Sequence, residues 1–421
     1  MLRCIQTCTG CAESLNFGFL AEDFRISGRK FVAVTSLASG ALAWFFLLSV
    51  YLPRMLTTMI PDPILAVTGQ VVFFVTGIVS AVIGSIVSQK VNIRKFLISW
   101  IMLGVISTAA LSLSLGTILS IFMTFALGVS LGLGLPSSLA FLADSTIVEE
   151  RGRIAGITIL ISFLLAFLAI AISGVFGGEL IVIILSGIAI KLTSFLALIL
   201  DKCERPIIGI RTQVVKPNYR ELSFYLLPWI MFAMASVIAS NVVPKSEDFQ
   251  SAVLTGTILR YALIALFGLI WGVLADRVGR KMPIIFGLIA LGLSFSMLTY
   301  SMTPSTVLVY LAISGVAWGA FFTIYLVIPG DLSNPGRREK FYTLGSISPL
   351  TAMISIMLIL TALETQFALS SFSNVLSVML FLSIIPVLRA KETLQESKVQ
   401  ERRLKEHVEK VGKIIKESEG Q

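Results

Sequence analysis

Ten consecutive residues, Gly272 to Lys281, read GVLADRVGRK and carry four charges: Asp276, Arg277, Arg280 and Lys281. They join two very apolar stretches, about Val253 to Ala275 and Met282 to Met302. Charges placed there suit ion pairing at a membrane face, because a short charged loop between membrane-length helices is costly unless its charges find partners. A second residue is suited to binding. Arg260 lies 12 residues before Gly272, about 18 Å along a helix at 1.5 Å per residue, and so near mid-depth. A guanidinium at that depth fits a carboxylate, a phosphate or another planar anion. An arginine bonded to helix carbonyls or reaching outward is the alternative.

Other reactive residue types narrow the chemistry. The sole histidine, His407, lies in a charged tail, which excludes histidine catalysis and His-rich metal sites. Cys4, Cys8 and Cys11 form C-x3-C-x2-C, the spacing radical S-adenosylmethionine enzymes use for an iron–sulfur cluster. That chemistry sits in a soluble β/α barrel, which nothing here could build. A plain tail, or an upstream mis-assigned start, is the simpler reading, and neither cofactor nor metal is expected. Cys203 reads as a free thiol at a helix end. Lys191 is also mid-helix and reads as a structural or snorkelling lysine. No enzymatic activity is expected.

These residues must be positioned by membrane helices. The chain has 421 residues, 56% hydrophobic and 14% charged, with a mean hydropathy of +0.91, outside the range of soluble domains. Twelve stretches are long enough to cross a hydrocarbon core, centred near Leu42, Phe74, Val105, Leu127, Leu164, Ala189, Phe232, Ala265, Leu291, Val316, Ile354 and Met379. Their continuous apolar runs lack the alternation of a lipid-facing barrel, so helices are predicted. The fold class expected is an all-α polytopic membrane protein. Of 33 Lys and Arg residues, all but Arg54, Lys245, Lys191 and Arg260 fall on one face, which places both termini in the cytoplasm. The net charge of +9 therefore reads as membrane orientation and not as nucleic-acid binding. No cleavable signal peptide is expected, since the first 30 residues lack a sufficient apolar run.

The two halves repeat. Gly84 and Gly272 are 188 apart; Gly128-x3-Gly132 and Gly315-x3-Gly319 are 187 apart. Asp144-x6-Arg151 and Asp331-x6-Arg338 are also 187 apart, and Glu204 and Glu392 188. The expected organisation is a cytoplasmic segment 1–30, a six-helix bundle 31–200, a linker 201–222, a second bundle 223–388 and a charged helical tail 389–421, all in one monomer.

The 272–281 string resembles the cytoplasmic loop motif of the major facilitator superfamily, G-x-L-A-D-R-x-G-R-K, with Gly279 and Lys281 among its fixed positions. The resemblance implies two pseudo-symmetric six-helix bundles and sugar-porter-like salt bridges that shut the cytoplasmic side. It implies that Arg280 and Arg277 face Asp331, Arg338 and Glu392, and that Arg94 and Lys95 face Asp144, Arg151 and Glu204. Asp276 is expected across the interface at the start of the fifth helix, Gly152 to Ala155, with Gly272 and Gly84 permitting close approach. The amino-half copy departs from the motif, because Ser88 replaces the acid. Both acid-x6-Arg elements carry Asp where the family usually has Glu.

The same resemblance implies a central cavity lined by helices 1, 2, 4, 5, 7, 8, 10 and 11, with Arg260, Gln70, Trp44, Asn241, Trp318 and Tyr325 as candidates for binding. No Asp or Glu lies inside any apolar stretch, Thr124 stands where drug/proton antiporters carry arginine, and the fifth helix lacks their Gly-Pro motif. Proton/drug antiport is thus disfavoured; facilitated diffusion, anion exchange and other coupling stay open. The expected function is alternating-access transport of a small solute, with Arg260 favouring an anionic or carboxylate-bearing one, in a cell membrane. The alternative is a transport-inactive relative acting as a sensor or interaction protein.

Overall fold

The computed structural model describes residues 26–113, 116–201, 218–242, 247–334, 337–363 and 369–394. Cys4, Cys8, Cys11, Cys203, Glu204, His407 and the tail from 395 lie outside them, as does the side chain of Asn241. In the amino half, α1 is Gly28–Met59, α2 Pro63–Lys90, α3 Ile93–Ala110, α4 Thr117–Ser145, α5 Arg151–Val175 and α6 Leu180–Thr193, continued by α7 Phe195–Leu200. In the carboxyl half, α8 is Tyr219–Val242, α9 Glu247–Val278, α10 Lys281–Tyr300, α11 Pro304–Asp331 and α12 Arg338–Leu363. There α13 Leu369–Leu382 is continued by α14 Ile384–Arg389.

Among the described residues, 11 spans are long and apolar enough to cross a membrane; α13 and α14 supply a shorter apolar segment where the twelfth stretch was predicted. The chain is a multi-pass membrane protein. Helices start where short polar residues can hold orphan backbone N–H groups. Asp62 accepts from Ile64 and Leu65 ahead of α2, and Asn92 from Arg94 and Lys95 ahead of α3. Thr303 and Thr306 form a reciprocal capping box on α11. Asn218 accepts from the Glu221 amide at 3.2 Å, so α8 begins at Tyr219, inside the segment assigned to the linker.

Within each half, α2 packs along α4 and α9 along α11. Gly128 of α4 sits against the Phe73 carbonyl of α2, and Gly315 of α11 against the Arg260 carbonyl of α9. Both pairs are related by 187 residues. The counterpart of Arg260 is therefore Phe73. Between the halves the broad contact is α5 on α9; its symmetry mate, α12 on α2, is smaller.

Candidate functional site

Two features lie between the halves: a charged cluster at one end and a cavity at mid-depth. The cluster is built where α4 meets α5, where α9 meets α10 and where α11 meets α12. Asp276 ends α9 and is buried. One carboxylate oxygen accepts from the Gly152 amide at 2.9 Å, the other from the Arg153 amide at 2.8 Å. Arg153 Nε approaches at 3.4 Å and Arg280 Nη1 at 2.6 Å. The expected seat of Asp276 on the amino end of α5 is thus where the structure places it. Gly272 permits this seat, because a side chain there would run into the Gly152 carbonyl.

Arg280 is fully buried. Besides Asp276 it reaches Asp331 Oδ2 from Nε at 3.2 Å and donates from Nη2 to the Val148 carbonyl at 2.6 Å. Burial opposes its charge, but Asp276 and Asp331, through charge and hydrogen bonds, outweigh burial and hold its pKa above the ordinary arginine value. Asp331 also pairs with Arg151 and accepts from Thr393 Oγ1 at 3.1 Å.

Four residues pair otherwise than the resemblance implied. Arg151 does not turn to Asp144 in its own half; it binds Asp331 across the interface. Its Nε and Nη2 are taken by Thr146 Oγ1 and by the Ala143 and Thr146 carbonyls, which close the end of α4 and leave Nη1 for the other half. Arg338 likewise pairs with Asp144, at 2.6 Å, and not with acids of its own half. The repeat-related pairs are exchanged between bundles. Arg94 donates to the Leu198 carbonyl at 3.1 Å and so ties α3 to α7 within one half. Among the described residues Glu392 meets no guanidinium; its oxygens accept from the Arg280 amide at 2.8 Å and the Lys281 amide at 3.2 Å, capping α10.

Gly279 makes that cap possible. It has φ +118°, and a side chain there would strike Glu392. Lys281 Nζ donates to the Leu388 and Ala390 carbonyls. Arg277 is exposed. Gly84 packs on the Leu133 backbone of α4, inside the amino half. Sequence reasoning missed Arg153, Thr393 and Glu221, whose carboxylate accepts from the Lys391 amide at 2.8 Å. An arginine in the first turn of a helix, disfavoured by the dipole, was a signal for Arg153.

The cavity, of about 250 Å³, is lined by α1, α2, α4, α5, α8, α9, α11 and α12. Arg260, Trp318 and Tyr325 face it; Gln70 and Trp44 do not line it. Trp44 is buried in the amino bundle, where Nε1 donates to Thr108 Oγ1 at 2.9 Å. Lys191 does not snorkel. It is fully buried, its ammonium 3.8 Å from the Trp100 ring centroid and 4.4 Å from that of Trp44, with no hydrogen-bond partner. The Arg260 guanidinium carbon stands 5.6 Å from the Trp318 ring centroid.

Residues 222–418 match the family model described as Major Facilitator Superfamily. The carboxyl half of the chain thus carries the sequence signature of the major facilitator superfamily. Solved structures agree in fold. A human organic anion transporter superposes with a TM-score of 0.66 at 15% identity, over 85% of this chain and 99% of that one. A bacterial homologue of the iron transporter ferroportin, in an outward-facing state with soaked iron, gives 0.63 at 16%, over 87% and 99%. A proton:xylose symporter bound to 6-bromo-6-deoxy-D-glucose gives 0.67 at 14%, over 87% and 96%. No curated protein matches this chain in sequence.

Proposed function

We propose that this protein moves a small, anionic solute through a cell membrane by alternating access, with the buried charge cluster as its cytoplasmic gate. One observation carries the reading: each half lends an aspartate to the other half's arginine at the closed end, while a cavity lined by both halves holds Arg260 at mid-depth. Ion pairs made between two bodies exist only while those bodies touch. They are therefore an energy term that opening must remove, and a bias of a few kcal/mol is enough to set the resting state. The positive-inside pattern assigns this end, with both termini, to the cytoplasm. The state described is then closed to the cytoplasm.

Purified protein in liposomes provides the test. Counterflow of labelled organic anions should be measurable with wild type and strongly reduced by Asp276→Asn and by Arg280→Ala. Unchanged transport in both variants would remove the gating role. A protein that binds solute but moves none would favour the sensor alternative.

A further inference from the structure

We infer that the cavity selects an amphiphilic organic monoanion: one carboxylate on a compact, flat, apolar body, with the carboxylate held jointly by Arg260 and the indole N–H of Trp318. This rests on the transporter reading and narrows its substrate class.

The polar groups of the wall decide the class. Trp229 Nε1 donates to the Gly345 carbonyl at 3.2 Å, Tyr342 Oη to the Leu326 carbonyl at 2.7 Å, and Ser49 Oγ to the Phe46 carbonyl at 2.8 Å. Tyr325 Oη is bonded to the Tyr225 carbonyl. Those groups are already satisfied. Two neighbouring donors are not: Arg260 Nε and Trp318 Nε1 are both buried without a partner. Trp318 is itself only 7% exposed. A buried donor left unpaired forfeits the hydrogen bond that water would have given it. Two side by side, one of them charged, call for an anionic acceptor with two oxygens.

The pair is held in place. Gly315, one turn before Trp318, brings α11 onto the Arg260 backbone. The Trp318 ring is fixed between Phe232 and Phe322, each centroid 4.7 Å away. Among the described residues Arg260 is the only charged one of the wall, and no carboxylate, amide or imidazole lines it. A sugar presents many hydroxyls, each needing donor and acceptor partners; beyond Arg260 and Trp318 the wall adds only the Tyr261 and Ser346 hydroxyls to those already bonded, too few for a polyol. A dianion would leave one charge uncompensated in a low dielectric. Phe45, Phe46, Phe74, Phe163 and Phe322 offer faces for an apolar ring. The volume is slightly below the roughly 300–1,000 Å³ usual for small-molecule sites, so the body is compact.

The test uses the full-length protein in nanodiscs with 2-naphthoate, the isosteric neutral 2-naphthamide, citrate and glucose. In wild type, 2-naphthoate should bind at least about tenfold tighter than each of the others, consistent with a hydrogen bond to a charged group. This comparison needs no variant to fold. Trp318→Phe keeps the ring and removes the donor; it should weaken naphthoate about tenfold and leave naphthamide unchanged. Arg260→Gln should abolish the preference for naphthoate over naphthamide. Equal binding of naphthoate and naphthamide, or tighter binding of glucose or citrate, overturns the inference. So does an unchanged naphthoate affinity in Trp318→Phe. Counterflow separates the two readings. Transport of glucose with no naphthoate binding sinks this assignment and keeps a transporter; tight naphthoate binding without transport keeps the site and sinks the transporter.

Discussion

At the scale of single residues, the exchanged arginine–aspartate pairs give a discriminating experiment. If Asp144 serves Arg338 and not Arg151, then Asp144→Lys should impair transport, and adding Arg338→Glu should restore it while adding Arg151→Glu should not. The Arg338–Asp144 pair is partly exposed, 13% and 16% of the two side chains. It is less buried than the Arg151–Asp331 pair, so its loss should cost less than the loss of that pair. Lys191 poses the opposite case, a fully buried ammonium faced by two indoles and no acceptor. Cation–π attraction of about 2 kcal/mol stands against a desolvation cost of several. Lys191→Met keeps the volume and replaces the charge with a thioether that also favours aromatic rings. It is expected to raise the melting temperature by a few degrees. A lower melting temperature would mean that the two indoles outweigh desolvation.

At the scale of elements, the two halves treat matching helix ends differently. The first turn of α5 has no acid of its own, so its orphan amides take the Asp276 carboxylate from the other bundle. The matching turn of α12 contains Glu339, at the place of Gly152 in the repeat, and therefore carries its own counter-charge. The broader interface between the halves is α5 on α9, and the narrower one is α12 on α2. Gly272→Ala should consequently act on one interface alone. The methyl group would meet the Gly152 carbonyl, a backbone atom that cannot move aside. It should push α9 from α5 and lower transport severalfold with little change in protein yield. Gly84→Ala meets Leu133 within one half and should instead lower yield.

At the scale of the whole molecule, Asp331 ties both halves together at the closed end. It binds an arginine from each half and a hydroxyl from the chain after α14. Removing one partner of a buried pair costs about 3–5 kcal/mol, enough to reverse a resting preference of a few kcal/mol. Asp331→Asn is expected to populate the state open at this end. A cysteine at Ala155, fully buried on α5, reports the change once the 4 native cysteines are replaced by serine. Labelling by an impermeant maleimide in inside-out vesicles should be at least several times faster with Asp331→Asn. Equal rates would show that the cluster does not set the resting state.

The sequence by itself determined the helical membrane class, the repeat, the place of Arg260 midway along its helix and the seat of Asp276. These follow from local periodicity, composition and a contiguous motif, all of which survive in one dimension. The exchange of ion pairs, the use of Glu392 as a backbone cap and the burial of Trp44 and Lys191 away from the cavity were decided only in the tertiary structure. An Asp seven residues before an Arg reads as a pair within one loop. It becomes a pair between halves because the Arg151 guanidinium is already committed to the carbonyls that end α4, and its one free edge faces the other bundle. The direction a side chain takes from its helix, and which partner lies there, is set by the packing of two six-helix bodies, which no spacing along the chain records.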